Sequence, residues 1–234
     1  MKIYSKIKNK LKIYIKICYF LAKESMIFFI VNIKGSYEAK KLLNDGYFVW
    51  HEKISDDLCK KLVSFISKEN YVTVEHHPID LFNMYKPNDS TIKDFLQKVP
   101  EISKVLTEVG CKLKIESNYI NITKPNKTRL YSYDWHHDGK LRHYRIIVLL
   151  NDASNTNCTH YDSGSNGSFK RFFDFRKTNI YNYSPHNLQL FAWKARSVYL
   201  FDTSGWHRSG VPNSNNERPV LNISLKTISN EIVR

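Results

Sequence analysis

The sequence predicts an α+β fold, with helices on the N-terminal side and a strand-rich core of the double-stranded β-helix, or jelly-roll, type. Three observations predict it. Helical patterning dominates the chain before Cys111. Short apolar and alternating runs take over after Cys111. Asn, Pro, Gly and Ser punctuate those runs as turn residues do. The 234 residues suffice for a substantial core, with no internal repeat and no long linker. Two units are expected: a basic amphipathic extension over 1–35 and one jelly-roll domain over 36–234.

The extension comes first. Lys2, Lys6, Lys8, Lys10, Lys12, Lys16 and Lys23 precede the first acid, Glu24. Ile3, Ile7, Leu11, Tyr14, Cys18 and Leu21 recur at spacings of four and three, which is one apolar stripe of a helix. Framed by lysines, residues 1–24 suit peripheral contact with an anionic membrane surface. A helix packed on the domain and a disordered basic tail are the alternatives. The apolar runs 17–22 and 26–33 are too short to span a bilayer, and Lys23 and Glu24 separate them. Lys16 interrupts the apolar stretch a signal peptide would need. A cytoplasmic, membrane-peripheral location is the expectation.

Residues 36–44 read as a helix that Gly46 ends, and 47–50 as a strand. Ser55 is a candidate N-cap for a helix running to about Glu69. Residues 90–109 are helical, with Pro100 breaking them. Strands are expected at 112–122, 130–135, 144–150, 189–193, 197–201 and 220–227.

Lys and Arg number 36 against 22 Asp and Glu, a net charge of +14. Such a charge favours anionic partners: an acidic substrate, acidic lipid or nucleic acid. Richness in Lys, Asn, Ile and Tyr throughout the chain explains part of the charge as composition, so nucleic acid is not the expected partner. Cys18, Cys59, Cys111 and Cys158 are scattered and form no C-x-x-C pair, so neither a zinc knuckle nor a disulfide framework is indicated, which suits a reducing compartment.

The chemistry concentrates in Trp135-His136-His137-Asp138-Gly139, Trp206-His207-Arg208-Ser209-Gly210 and Arg218. Residues two apart on a strand share a face, so His136 and Asp138 would present an imidazole and a carboxylate together. His207 can close the set from a later strand. Two histidines and a carboxylate on one side of a metal leave positions open for small molecules. Taken locally, Asp134-x-His136 satisfies the same spacing and His137 is an adjacent imidazole. Arg218, leading into an apolar run, could hold a carboxylate by two parallel hydrogen bonds. Ser209 shares the His207 face by parity, and a turn role is the alternative for it.

This arrangement resembles the 2-oxoglutarate/Fe(II)-dependent dioxygenases, and within them the phytanoyl-CoA dioxygenase-like group. Residues 43–49 (LNDGYFV) are similar to that group's opening, and 197–202, 207–213 and 218–224 to its closing strands. The likeness spans roughly residues 36–230 and is weakest over 152–192. It implies a cupin-like barrel with Fe(II) on His136, Asp138 and His207. It also implies 2-oxoglutarate held by Arg218 with Ser209, and hydroxylation of a small or medium organic substrate with release of succinate and CO2. Related halogenases have a small residue in place of the carboxylate, so Asp138 implies hydroxylation instead. The charge suggests an anionic substrate. An alkylated-nucleic-acid repair oxygenase is a rival, but that family's closing motif has a second arginine and the next one here is Arg234. A jelly-roll binding module without catalysis is another. Lys140, Arg142, His143 and Arg145 follow the metal motif, and an alternating strand would send some of them inward. Lys170, Arg171, Arg176 and Lys177 with Phe172, Phe173 and Phe175 could form a basic aromatic lid or a solvated loop.

Overall fold

The computed structural model describes residues 2–51, 53–66, 71–77, 80–85, 87–111, 113–123, 133–139, 141–167, 170, 179–180, 182–211 and 217–225. Four short helices follow a long one: α1 (Lys2–Lys34), α2 (Tyr37–Asp45), α3 (Asp56–Ser64), α4 (Asp89–Lys98) and α5 (Pro100–Glu108). Local chemistry sets their ends. Ser36, Ser55 and Asn88 accept the backbone N–H of Ala39, Leu58 and Thr91 and so cap α2, α3 and α4. Gly46 stops α2 in the left-handed region at φ 89°, donating its N–H to the Leu42 carbonyl. Pro100 opens α5, where its missing N–H costs nothing.

The strands are β1 (Tyr47–Trp50), β2 (Tyr71–His77), β3 (Asp80–Tyr85), β4 (Ile115–Thr123), β5 (Trp135–His136), β6 (Tyr144–Leu149), β7 (Thr159–Asp162), β8 (Asn179–Ile180), β9 (Leu188–Leu190), β10 (Val198–Asp202), β11 (His207–Ser209) and β12 (Arg218–Leu225). They form a seven-stranded sheet in the order β1-β10-β6-β12-β4-β3-β2 and a five-stranded sheet in the order β8-β5-β11-β7-β9. The paired strands are antiparallel. This is an α+β architecture.

Alternation divides the large sheet between two cores. Val198 with Val148, and Leu200 and Ile223 with Ile146, pair across strands and face the helices. There they join Leu42, Leu58, Leu62, Phe95, Ile102 and Leu106 in the main core. The opposite face carries Ile147, Leu149, Tyr199, Phe201 and Val220, packed on Tyr161 and Phe191 of the small sheet. The space between the sheets is therefore apolar at this point and polar around it, where Arg145, Asn222 and Arg218 share the inward face.

One expectation needs correction and two gain detail. The stretch before Cys111 is mostly helical, as expected, but residues 71–85 contribute a hairpin, β2–β3. Pairing with β4 extends the large sheet there, a tertiary gain that helical propensity does not contain. The helix from Ser55 ends at Ser64 rather than near Glu69, of which 67–69 lie outside the described residues. Its last turn tightens as Phe65 and Ile66 donate to Leu62 and Val63. Of the expected apolar stripe of α1, Leu11, Tyr14 and Cys18 are exposed, so these residues do not form the face that meets the domain. The face that packs runs through Phe20, Glu24, Ile27 and Val31. In the strand expected at 130–135, residues 130–132 lie outside the described residues, as do 226–227 of the last one.

Candidate metal centre between the sheets

β5 and β11 lie side by side in the small sheet, with His136 directly opposite His207. Parity turns both imidazoles into the space between the sheets, where their ring centroids are 4.3 Å apart. The Phe201 ring of the large sheet lies edge-on to His207 at 5.4 Å. Asp138 follows β5, and its N–H donates to the Thr203 carbonyl at 2.9 Å. That bond fixes the turn and brings the carboxylate back toward the histidines. Asp138 Oδ1 is 3.9 Å from both His136 Nε2 and His207 Nε2. The ligand atoms of the three residues all lie within 4.8 Å of one another, a grouping able to hold a metal ion. Asp138 is exposed through its backbone, whereas its side chain is turned inward at 22 % relative exposure.

Backbone carbonyls fix the histidine tautomers. His136 Nδ1 meets the Asp134 carbonyl at 2.8 Å and His207 Nδ1 meets the Gly205 carbonyl at 2.9 Å. A carbonyl only accepts, so each Nδ1 carries the proton. In the neutral ring Nε2 then keeps its lone pair toward the cluster. Burial first, and then the neighbouring His136, push the His207 imidazole down to about 3, against the attraction of Asp138. His207 is therefore neutral and able to ligate across the physiological range.

Arg145 completes the polar setting. From β6 its Nη2 donates to Asp138 Oδ2 at 2.8 Å, which leaves Oδ1 facing the imidazoles. Burial opposes ionisation of Asp138, but Arg145 together with His207 and His136 holds its carboxyl well below the usual carboxylate range. Arg145, whose guanidinium stays charged, is the foremost of these attractions. Tyr119 shares this wall, its hydroxyl pushed up by burial.

Farther along the same interior lies Arg218, buried on β12. Its Nη1 donates to Thr159 Oγ1 at 3.0 Å, and Thr159 in turn lies 3.1 Å from the Tyr199 hydroxyl. Thr159 is the cross-strand partner of Ser209, as Tyr161 is of His207. Ser209 thus sits about 7 Å along β11 from His207, beside the threonine that meets the guanidinium. No carboxylate pairs with Arg218 among the described residues, and its Nε has no hydrogen-bond partner. A buried guanidinium in that state has a donor and a charge that an anion could satisfy.

The structure also separates residues the sequence left open. Asp134 serves His136 through its carbonyl, and its carboxylate is not in the cluster. His137 Nδ1 turns to the Gly139 carbonyl at 2.9 Å, and its ring lies edge-on to Trp206. Arg142 is buried away from the cluster, bonded to Glu24 of α1 and, through Nη1, to Asp202 at 3.2 Å. His143 Nδ1 bonds the Thr203 hydroxyl at 3.0 Å. Lys170 donates to the Gly164 carbonyl at 2.6 Å. Lys140, Arg171, Phe172, Phe173, Phe175, Arg176 and Lys177 lie outside the described residues. Thr159 and Tyr199 escaped sequence reasoning, since only the pairing of β7 with β11 brings them to Arg218.

No family model matches this sequence, and no curated protein matches it. Solved structures do. SnoN, the non-heme alpha ketoglutarate dependent epimerase from nogalamycin biosynthesis, is similar with a TM-score of 0.59 at 13% identity, over 80% of this chain and 80% of that chain. EctD from S. alaskensis, solved with 2-oxoglutarate and 5-hydroxyectoine, gives 0.60 at 18% identity over 83% of this chain and 77% of its own. EvdO2 from Micromonospora carbonacea var. aurantiaca, complexed with 2-oxoglutarate, gives 0.54 at 14% identity over 81% and 90%. At these identities the likeness establishes a shared fold.

Proposed function

We propose that this protein is an Fe(II)- and 2-oxoglutarate-dependent oxygenase, built on a double-stranded β-helix of the phytanoyl-CoA dioxygenase-like kind. The observation that carries this reading is the convergence of two lone-pair Nε2 atoms and one carboxylate oxygen within 4.8 Å, each imidazole fixed by a carbonyl at Nδ1. Such a donor set suits non-haem Fe(II), since it faces one side of the ion and leaves the rest open. SnoN has also been solved with Fe3+, alpha ketoglutarate and nogalamycin RO, which supports the choice of metal and co-substrate.

When bound, Fe(II) and 2-oxoglutarate supply the chemistry: 2-oxoglutarate, O2 and a substrate C–H bond become succinate, CO2 and C–OH. The chain's own residues prepare the site. His136, Asp138 and His207 hold the ion. Arg145 orients the Asp138 carboxylate and keeps it ionised. Arg218, steadied by Thr159 and flanked by Ser209, receives the far carboxylate of 2-oxoglutarate and so fixes which end approaches the metal. The apolar wall of Phe201, Tyr199, Ile147 and Val220 keeps water from the reacting centre. We infer hydroxylation of a small or medium organic molecule, with an anionic substrate favoured by the +14 charge. A reducing, cytoplasmic setting suits both Fe(II) and four free thiols.

The test is succinate formation from 2-oxoglutarate with Fe(II) and O2, with and without added organic acids. The reading expects Fe(II)-dependent succinate that is absent in His207→Ala and Asp138→Ala. Succinate formation that persists in both variants would overturn it.

A further inference from the structure

We propose that α1 carries a docking face for an anionic membrane surface, on the side turned away from the domain. This proposal is independent of the metal centre. α1 has two apolar faces. One, through Phe20, Glu24, Ile27 and Val31, lies on the domain: Val31 is buried in the main core and Ile27 packs against it. Glu24 bonds Arg142, which clamps the helix in place. The other face runs through Ile15, Tyr19, Ala22, Met26, Phe29 and Ile33, at alternating spacings of four and three. Its large side chains are 57–71 % exposed. Leu11 and Ile30 widen the face, so that it extends about 33 Å along the helix. An apolar stripe of this length, exposed and rigidly presented, requires a cover.

Charge decides what covers it. Lys12, Lys16, Lys23 and Lys34 border one edge of the stripe. The helix has a single acid, Glu24, and it is committed to the packed face. A second copy packed seam to seam would set Lys16 and Lys23 beside lysines or the uncharged Cys18, Ser25 and Asn32. A coiled-coil pair relies on complementary charges at these flanks, and none is available. An anionic lipid surface supplies what is missing, with apolar depth for Met26 and Phe29 and headgroup charge for the lysines. No described helix is long and apolar enough to cross a membrane, so the helix would lie in the interface.

The experiment is flotation of the full chain with vesicles of phosphatidylcholine alone or mixed with phosphatidylserine. The variants are Ile15→Gln/Met26→Gln/Phe29→Gln and Lys12→Glu/Lys16→Glu. All five positions are exposed, so folding is preserved, and circular dichroism checks it. Wild type should float with the phosphatidylserine vesicles and not with phosphatidylcholine alone, and salt should weaken binding. The triple variant should lose at least about tenfold in affinity, and each lysine reversal about fivefold or more. Wild type failing to float, or a triple variant that floats as well as wild type, would overturn the proposal. So would a dimer that the triple variant dissolves, because the stripe would then be covered by a second copy.

Discussion

Arg145 touches the candidate ligand Asp138 through one oxygen and leaves the other for the histidines. Its removal should disturb metal binding without unfolding the chain. Arg145→Gln should weaken Fe(II) binding by about 10–100-fold, as loss of an outer-shell partner does. Anaerobic competition against a chelator measures this. Arg218 lies at the other end of the candidate site. Arg218→Ala should cost 2-oxoglutarate about tenfold to a hundredfold in affinity, the worth of a charge-assisted pair. Calorimetric titration of 2-oxoglutarate into the metal-loaded protein checks it, and an unchanged Kd would remove Arg218 from the site. The candidate ligands His136, Asp138 and His207, which the structure brings together, were legible through the family resemblance, whereas spacing alone left Asp134 and His137 open. Arg145 was half legible: the pattern could say that some of Lys140, Arg142, His143 and Arg145 face inward, but not which. The alternation of β6 against β10 settles it, since Arg145 pairs with Phe201 and both point between the sheets. Thr159 was illegible, because its role depends on which strand lies beside β11.

At the scale of elements, the turn at the end of α2 and the anchor of α1 invite separate tests. Gly46 needs φ 89°, and a Cβ there would meet the Tyr161 hydroxyl at 2.2 Å. That hydroxyl donates to the Asp202 carbonyl and ties the two sheets together. Gly46→Ala should therefore cost more than the roughly 1 kcal/mol of left-handed strain alone, seen as a lower urea midpoint. Arg142 joins Glu24 of α1 to the fully buried Asp202 at the end of β10. Arg142→Met would leave Asp202 without this cation and should destabilise by about 3–5 kcal/mol. A change within a few tenths of a kcal/mol would mean that the bridge is incidental. Caps and breaks were readable: Ser55, Gly46 and Pro100 act by chemistry local to the chain. The β2–β3 hairpin was not, because its strand character comes from pairing with a β4 about forty residues away in sequence, a separation typical of contacts local patterns miss. Which face of α1 docks on the domain was not read from the sequence, for a related reason. The helix has two apolar stripes, and only the position of Arg142 and the main core shows which one packs.

The described residues form helices, a large sheet and a small sheet, with the main apolar core on one face of the large sheet and the candidate site, beside a second apolar cluster, on the other. The helices-then-strands order made that class legible, while the division of strands between two sheets was not contained in any local pattern. One consequence is global. Burial shields three of the four thiols: Cys59, Cys111 and Cys158 are buried, and Cys18 is exposed on α1. Burial also pushes the Cys111 thiol up to about 11, so thiolate is scarce there near pH 8. Alkylation of the native protein should therefore label Cys18 alone, and the remaining thiols only after denaturation, as peptide mass mapping would show.

The most direct measurement is anaerobic titration of Fe(II) into the protein with 2-oxoglutarate, following the visible metal-to-ligand charge-transfer band, with His207→Ala and Arg218→Ala alongside. A band in the wild type, absent in His207→Ala and requiring more 2-oxoglutarate in Arg218→Ala, is the predicted result. A folded wild type that shows no band at saturating metal and 2-oxoglutarate would contradict the account.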